Sequence, residues 1–199
     1  MCPVATAYQE ARVTAAPSEL APLPLVPGSW TLDTAHSSVN FQIRHLGVTN
    51  VRGRFDTFAA TLTVGDALET VAVAASIDLA SINTNQADRD AHLRSTDFFN
   101  LAEHPTMAFA STAVSAEGEQ YALRGDLTIN GVTKPITLAV EFYGTDTHPA
   151  DGRVRSGFSA TGELSRADYG ITFNLPLGAG KLALADKVKI ELDLQFIAP

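Results

Sequence analysis

Between residues 38 and 44 apolar and polar side chains alternate without a fault. Val39, Phe41 and Ile43 share one parity, and Ser38, Asn40, Gln42 and Arg44 share the other. A period of 2 marks a strand with one buried face. Gly47 and Asn50 punctuate the chain before it resumes extended, which predicts two adjacent antiparallel strands. The same pattern returns in Phe58, Ala60, Leu62 and Val64, then in Val71, Val73, Ala75 and Ile77, and in a run from Thr106 to Val114 that holds Met107 and Phe109. It continues through Tyr121, Leu123, Leu127 and Ile129, then Ile136, Leu138, Val140 and Phe142, then Val154, Phe158, Ala160 and Leu164. Val188, Ile190, Leu192, Leu194 and Phe196 close the series, alternating with Lys187, Lys189, Glu191, Asp193 and Gln195. Trp30 and Leu32 begin it in a short strand.

Two stretches break the rhythm. Residues 83–99 predict the one helical insertion, capped at Asn83, Thr84 or Asn85, with Phe98 and Phe99 packing its end against the sheet. Residues 1–27 hold Pro3, Pro17, Pro22, Pro24 and Pro27 among many alanines, which suits neither a central strand nor a continuous helix. We expect a flexible, Pro/Ala-rich N-terminal arm over residues 1–27 and a folded domain over residues 28–199. Asn130-Gly131 supplies the residues of a tight hairpin, and Pro135 falls at a strand start.

An antiparallel sheet with one apolar face must hide that face and its edges, either by closing into a barrel or by stacking two sheets. Runs of roughly 9 to 12 residues favour an up-and-down barrel wide enough for a ligand. The expected fold class is therefore all-β, an eight-stranded antiparallel barrel with one short helical insertion.

Composition narrows the partners. A net charge of -8 argues against a nucleic-acid backbone or an anionic membrane surface as the main partner. A single cysteine, Cys2, excludes an intramolecular disulfide and any CxxC site. No apolar run approaches the roughly 20 residues of a membrane-spanning helix. The opening residues carry neither a basic stretch nor a continuous apolar one, so a cytoplasmic location is expected.

The frame from Trp30 to Phe41 (WTLDTAHSSVNF), HLGV from His45, GRF from Gly53, RDAHL at Arg89–Leu93 and DFF at Asp97–Phe99 form an ordered series. HPTMAF at His104–Phe109, LTINGVTKP at Leu127–Pro135, RADYGI at Arg166–Ile171 and DKVKIE at Asp186–Glu191 extend it. Over about residues 28–197 the chain resembles the YceI-like, polyisoprenoid-binding proteins. The resemblance implies a lipocalin-like barrel with a helix beside it and an elongated apolar pore holding an isoprenoid or similar lipid. It also implies homodimers, and for many relatives a periplasmic location.

Val39, Phe41, Ile43, Phe58, Leu62, Met107, Phe109, Phe142, Phe158, Ile190 and Leu192 are the expected ligand-binding lining. In a narrow barrel the same residues simply fill the core, and the sequence leaves both readings open. Strands of about ten residues, rising ~3.3 Å each and tilted ~40°, give a barrel roughly 25 Å tall, room for about five extended isoprene units. The leading expectation is non-catalytic binding or transport of a polyprenyl chain or prenyl quinone, with no cofactor. His36 and His45 are candidates for the rim or for a lipid headgroup. The alternatives are a metal-dependent hydrolase or isomerase using these histidines and a carboxylate, or a structural barrel with a filled core. No HExxH, H-x-H, GxSxG or phosphate-cradling glycine loop is present.

Overall fold

The computed structural model describes residues 23–199. The expected arm lies outside the described residues except for residues 23–27, in which Leu25 is buried and Leu23 packs beside it.

Eight strands form the domain, three of them in two segments. β1 comprises Gly28–Leu32 and Ser38–His45, β2 comprises Thr49–Phe55 and Phe58–Val64, and β3 comprises Ala72–Asp78 and Ile82–Asn83. β4 (Thr106–Glu117), β5 (Gln120–Ile129), β6 (Val132–Thr147), β7 (Val154–Ser165) and β8 (Leu184–Ile197) follow. Each strand pairs antiparallel with the next, and β8 returns to both segments of β1, through Thr31↔Ile197 and Val39↔Leu192. The sheet is thus a closed eight-stranded antiparallel barrel, and closure removes the unpaired edges. Among the described residues no helix is long and apolar enough to cross a membrane.

The interruptions are stitched by side chains. Between the segments of β1 a 3₁₀ turn spans Thr34–His36, and the Asp33 carboxylate accepts the Ala35 amide at 3.2 Å. The Ser37 hydroxyl donates to the Asp33 carbonyl at 2.7 Å and accepts the Gln195 amide at 2.9 Å, which satisfies β8 where its neighbouring strand is broken. The break in β3 uses the same device: Asp78 caps the turn at the Ala80 amide, and Ser81 accepts from the Thr57 amide at the break between the segments of β2. The Asp and Ser of these segments are structural punctuation.

Two local expectations change and a third holds. The β1–β2 turn is Leu46-Gly47-Val48, with φ of 54° at Leu46 and 74° at Gly47, so Asn50 lies within β2. The helix, α1, covers only Ala87–Leu93 and is capped by Gln86, whose side chain accepts from the Arg89 amide. It cannot start earlier, because Asn85 holds φ at 60° and the Thr84 hydroxyl is taken by Asp90. The β5–β6 hairpin turns at Asn130-Gly131, both at positive φ, as a two-residue turn between right-twisted strands requires.

The two ends of the barrel differ. At one end Leu25, Trp30, Val64, Phe196 and Ala198 pack into a buried plug, with Trp30 1% exposed and its Nε1 donating to the Val26 carbonyl at 3.0 Å. The other end is covered by the β3–β4 connection, which carries α1, and by the β7–β8 connection, residues 166–183. That second connection holds a 3₁₀ turn, Arg166–Tyr169, and a small ribbon of Pro176–Gly178 with Lys181–Leu182.

Candidate functional site: an apolar cavity inside the barrel

The register aims one parity of each strand at the barrel axis. Val39, Phe41 and Ile43 stand opposite Leu192, Ile190 and Val188 on β8 and opposite Phe55, Gly53 and Val51 on β2. Gly53 is needed here, because a Cβ at that position would collide with the ring of Phe41. The inward side chains do not meet at the axis. They leave a cavity of ≈ 460 Å³, within the range of small-molecule sites.

Of the residues expected to line a pore, Val39, Phe41, Ile43, Phe58, Leu62, Met107, Phe109, Phe158, Ile190 and Leu192 all border this cavity. Phe142 does not: it packs against Phe158 with ring centroids 5.3 Å apart and belongs to the plug cluster. It has the inward parity and pairs directly with Phe158, but it does not border the cavity, and β6 and β7 shift register beside it between Gly157 and Phe158. The cavity reaches down to the plug, where Leu32 and Phe196 border it. A pore open from end to end is not what the chain builds.

The mouth end supplies lining that alternation does not reveal. Phe98 and Phe99 after α1, and Ile171, Phe173 and Leu175 between β7 and β8, border the cavity. His92 packs edge to face against Phe98 and Phe173, which are tilted against each other, with centroids 4.8 to 5.3 Å apart. The sequence signal for Phe98 and Phe99 was their place directly after the helix. Residues 172–175 lie in an aperiodic connection and carried none, and Ile171 was marked only as the end of the RADYGI motif. Leu175 borders the cavity while 57% exposed, which puts the mouth at this connection.

Arg166 holds that connection in place. Its guanidinium is buried and donates to the carbonyls of Ala185 (3.0 Å), Ile171 (2.8 Å) and Phe173 (2.8 Å). Burial pushes its pKa down and the nearby Asp186 opposes that push. An arginine stays cationic throughout the working range. Asp186 is held below its ordinary value by the Ser165 hydrogen bond; burial works against this, and the Ala167 amide, Arg166 and Lys187 reinforce it. Across the mouth, the Arg89 guanidinium donates to the hydroxyl and the carbonyl of Thr84, both at 2.8 Å. The buried Asp90 accepts from the amide and hydroxyl of the same Thr84, so the RDAHL segment anchors α1 to the barrel.

The two candidate histidines are not brought together. His45 borders the cavity near its mouth. His36 lies outside it with its side chain 59% exposed and Nδ1 3.1 Å from Asp33 Oδ2. The strand Ser38–His45 separates them by about 25 Å. Among the described residues no three of His, Cys, Asp and Glu converge as a ligand set. A shared His36–His45 centre is therefore excluded by distance.

The YceI-like domain model matches residues 30–196. A UPF0312 protein of Staphylococcus aureus strain MSSA476 is 41% identical over 170 residues, which cover 84% of this chain and 96% of that protein. Among solved structures, the YCEI protein of Campylobacter jejuni superposes with a TM-score of 0.65 at 31% identity, covering 85% of this chain and 97% of that one. A polyisoprenoid binding domain from Saccharophagus degradans superposes with a TM-score of 0.59 at 20% identity, covering 85% and 98% respectively. By the motif series, the closed barrel and these matches, the chain belongs to the YceI-like domain family.

Proposed function

We propose that the cavity receives a slender apolar lipid of the isoprenoid class, a polyprenyl chain or a prenyl quinone, and that the protein is a binder or carrier without catalysis. The observation that carries this reading is the predominantly apolar wall from the Phe158 and Phe196 layer to the Phe173 and Leu175 mouth. Water in such a space finds few partners, so hydrocarbon displaces it at a gain of about 0.8 kcal/mol per buried CH₂. The name carried by the Saccharophagus degradans domain supports the ligand class. A wall of this kind discriminates weakly, by roughly 1–3 kcal/mol per methylene, so a class of lipid follows rather than one compound. The polar head of a guest would sit at the mouth, near His45 and Arg89.

The test is organic extraction of the purified protein followed by mass spectrometry, together with titration by a prenyl quinone. Ala160 borders the cavity and is 3% exposed, so Ala160→Phe fills the space from within. It should weaken quinone binding about tenfold or more. His36→Ala, outside the cavity, should leave binding unchanged. No extracted lipid and no quinone binding by the unaltered protein would sink the reading.

A further inference from the structure

The exposed large apolar side chains are concentrated at the mouth. Leu46 and Val48 form the tip of the β1–β2 turn, 45% and 79% exposed, and Leu175, Leu177 and Leu182 stand on the β7–β8 connection, 57%, 49% and 56% exposed. Backbone bonds join the two groups: the Leu46 amide donates to the Ala183 carbonyl at 2.7 Å, and the Ala183 amide donates to the Leu175 carbonyl at 2.9 Å. Leu175 also borders the cavity, so this lip continues into the cavity wall.

Its charge differs from that of the chain. Residues 43–53 contain Arg44 and Arg52 and no carboxylate, and residues 170–185 contain Lys181 and no carboxylate, in a protein of net charge -8; the next cation, Arg54, is paired with Asp56 at 2.6 Å. Arg44, Arg52 and Lys181 are exposed. Apolar side chains at a tip, flanked by cations, are what an interfacial lipid-binding surface uses: the former enter the acyl boundary and the latter meet anionic headgroups.

We propose that this lip docks on an anionic lipid bilayer, and that the guest moves between bilayer and cavity across it. The second half of that statement rests on the cavity being a lipid site. Net charge predicted no membrane partner for the chain as a whole, and the lip is the local exception. The acidic remainder of the surface, which includes the exposed Asp88, Asp97 and Glu103 on the α1 side of the mouth, is repelled by the same membrane, which turns the lip toward it. A second copy is the poorer occupant. Two-fold pairing would set Arg44, Arg52 and Lys181 against their own kind, with no carboxylate on the lip to neutralise them.

The experiment is flotation of the full chain with phosphatidylcholine vesicles, with and without phosphatidylglycerol. The doubly substituted lip (Val48→Asp with Leu177→Asp) is compared with Tyr143→Asp, an exposed apolar position near the plugged end. The unaltered protein and Tyr143→Asp should float with the phosphatidylglycerol vesicles, less so as salt rises. The lip variant should lose about tenfold or more of the bound fraction. Prenyl quinone added from ethanol should load the lip variant as fully as the unaltered protein. Failure of the unaltered protein to load from ethanol would overturn the cavity reading, whereas its failure to float, or equal flotation of the lip variant, would overturn the docking. A dimer in sedimentation velocity that the lip variant converts to monomer, without vesicle binding, would also overturn it, by making this face an interface between copies.

Discussion

The plugged end and the mouth end are built from the same strands by different means. At the plug, Trp30, Val64 and Phe196 fill the barrel with large side chains that are almost wholly removed from water. At the mouth, the chain leaves the sheet and covers the opening with connections held by polar anchors: Arg166 on three carbonyls, Arg89 on Thr84, and Asp90 on Thr84. Apolar packing at the plug depends on many contacts at once, so it is cooperative with the fold. The cover is packed as well as bonded, since Tyr169, Ile171 and Phe98 are buried in one apolar cluster with Phe109, Leu127 and Leu138. One barrel thereby combines an apolar floor with a cover that polar anchors and apolar packing hold together.

The largest expected effect tests the floor. Trp30→Ala removes the most buried large side chain of the plug and its bond to Val26, and should cost about 3–5 kcal/mol in denaturant unfolding. A loss below about 1 kcal/mol would show that the plug is not the stabilising end.

Next comes the cover. Arg166→Met leaves three carbonyls without their donor and should destabilise the connection locally by about 2–4 kcal/mol. Hydrogen exchange should then speed up over residues 171–184 while the strand segments around Trp30 keep their protection. Uniform acceleration through the barrel would erase the distinction between the ends.

The smallest effect is a pH dependence at the mouth. Asp186 titrates below its ordinary value of 3.8 in the folded protein, so its ionised form stabilises the fold. That contribution is fully present above the unfolded pKa and is lost as pH falls through the lower folded one. After screening at this exposed site it amounts to less than about 1 kcal/mol. Asp186→Asn should flatten the stability curve below about pH 4 by this amount, as read by thermal melts across that range. An unchanged acid limb would mean that Asp186 does not hold the 3₁₀ turn through the Ala167 amide.

Much of the wall was legible because the information is local. Each strand's pleat fixes the parity of its own side chains, so Phe41, Phe109, Phe158 and Ile190 could be assigned inward one strand at a time. The Asn130-Gly131 hairpin was legible for a similar reason, since two adjacent positive-φ positions suffice to define it. The start of α1 was not, because the Thr84 hydroxyl and the backbone at Asn85 are committed by contacts that the helical pattern does not contain. His36 and His45 share a motif-rich stretch, yet an extended chain carries them far apart.

By itself, then, the sequence determined eight antiparallel strands, their inward faces and an apolar interior. The tertiary structure decided how high along the axis each inward residue sits, and with it that Phe158 borders the cavity while its paired neighbour Phe142 does not. It also decided that the aperiodic residues 171–175 complete the wall. Parity depends only on a residue's immediate neighbours, whereas height depends on strand tilt, register and the bulge at Gly157, which closure of the whole barrel sets together.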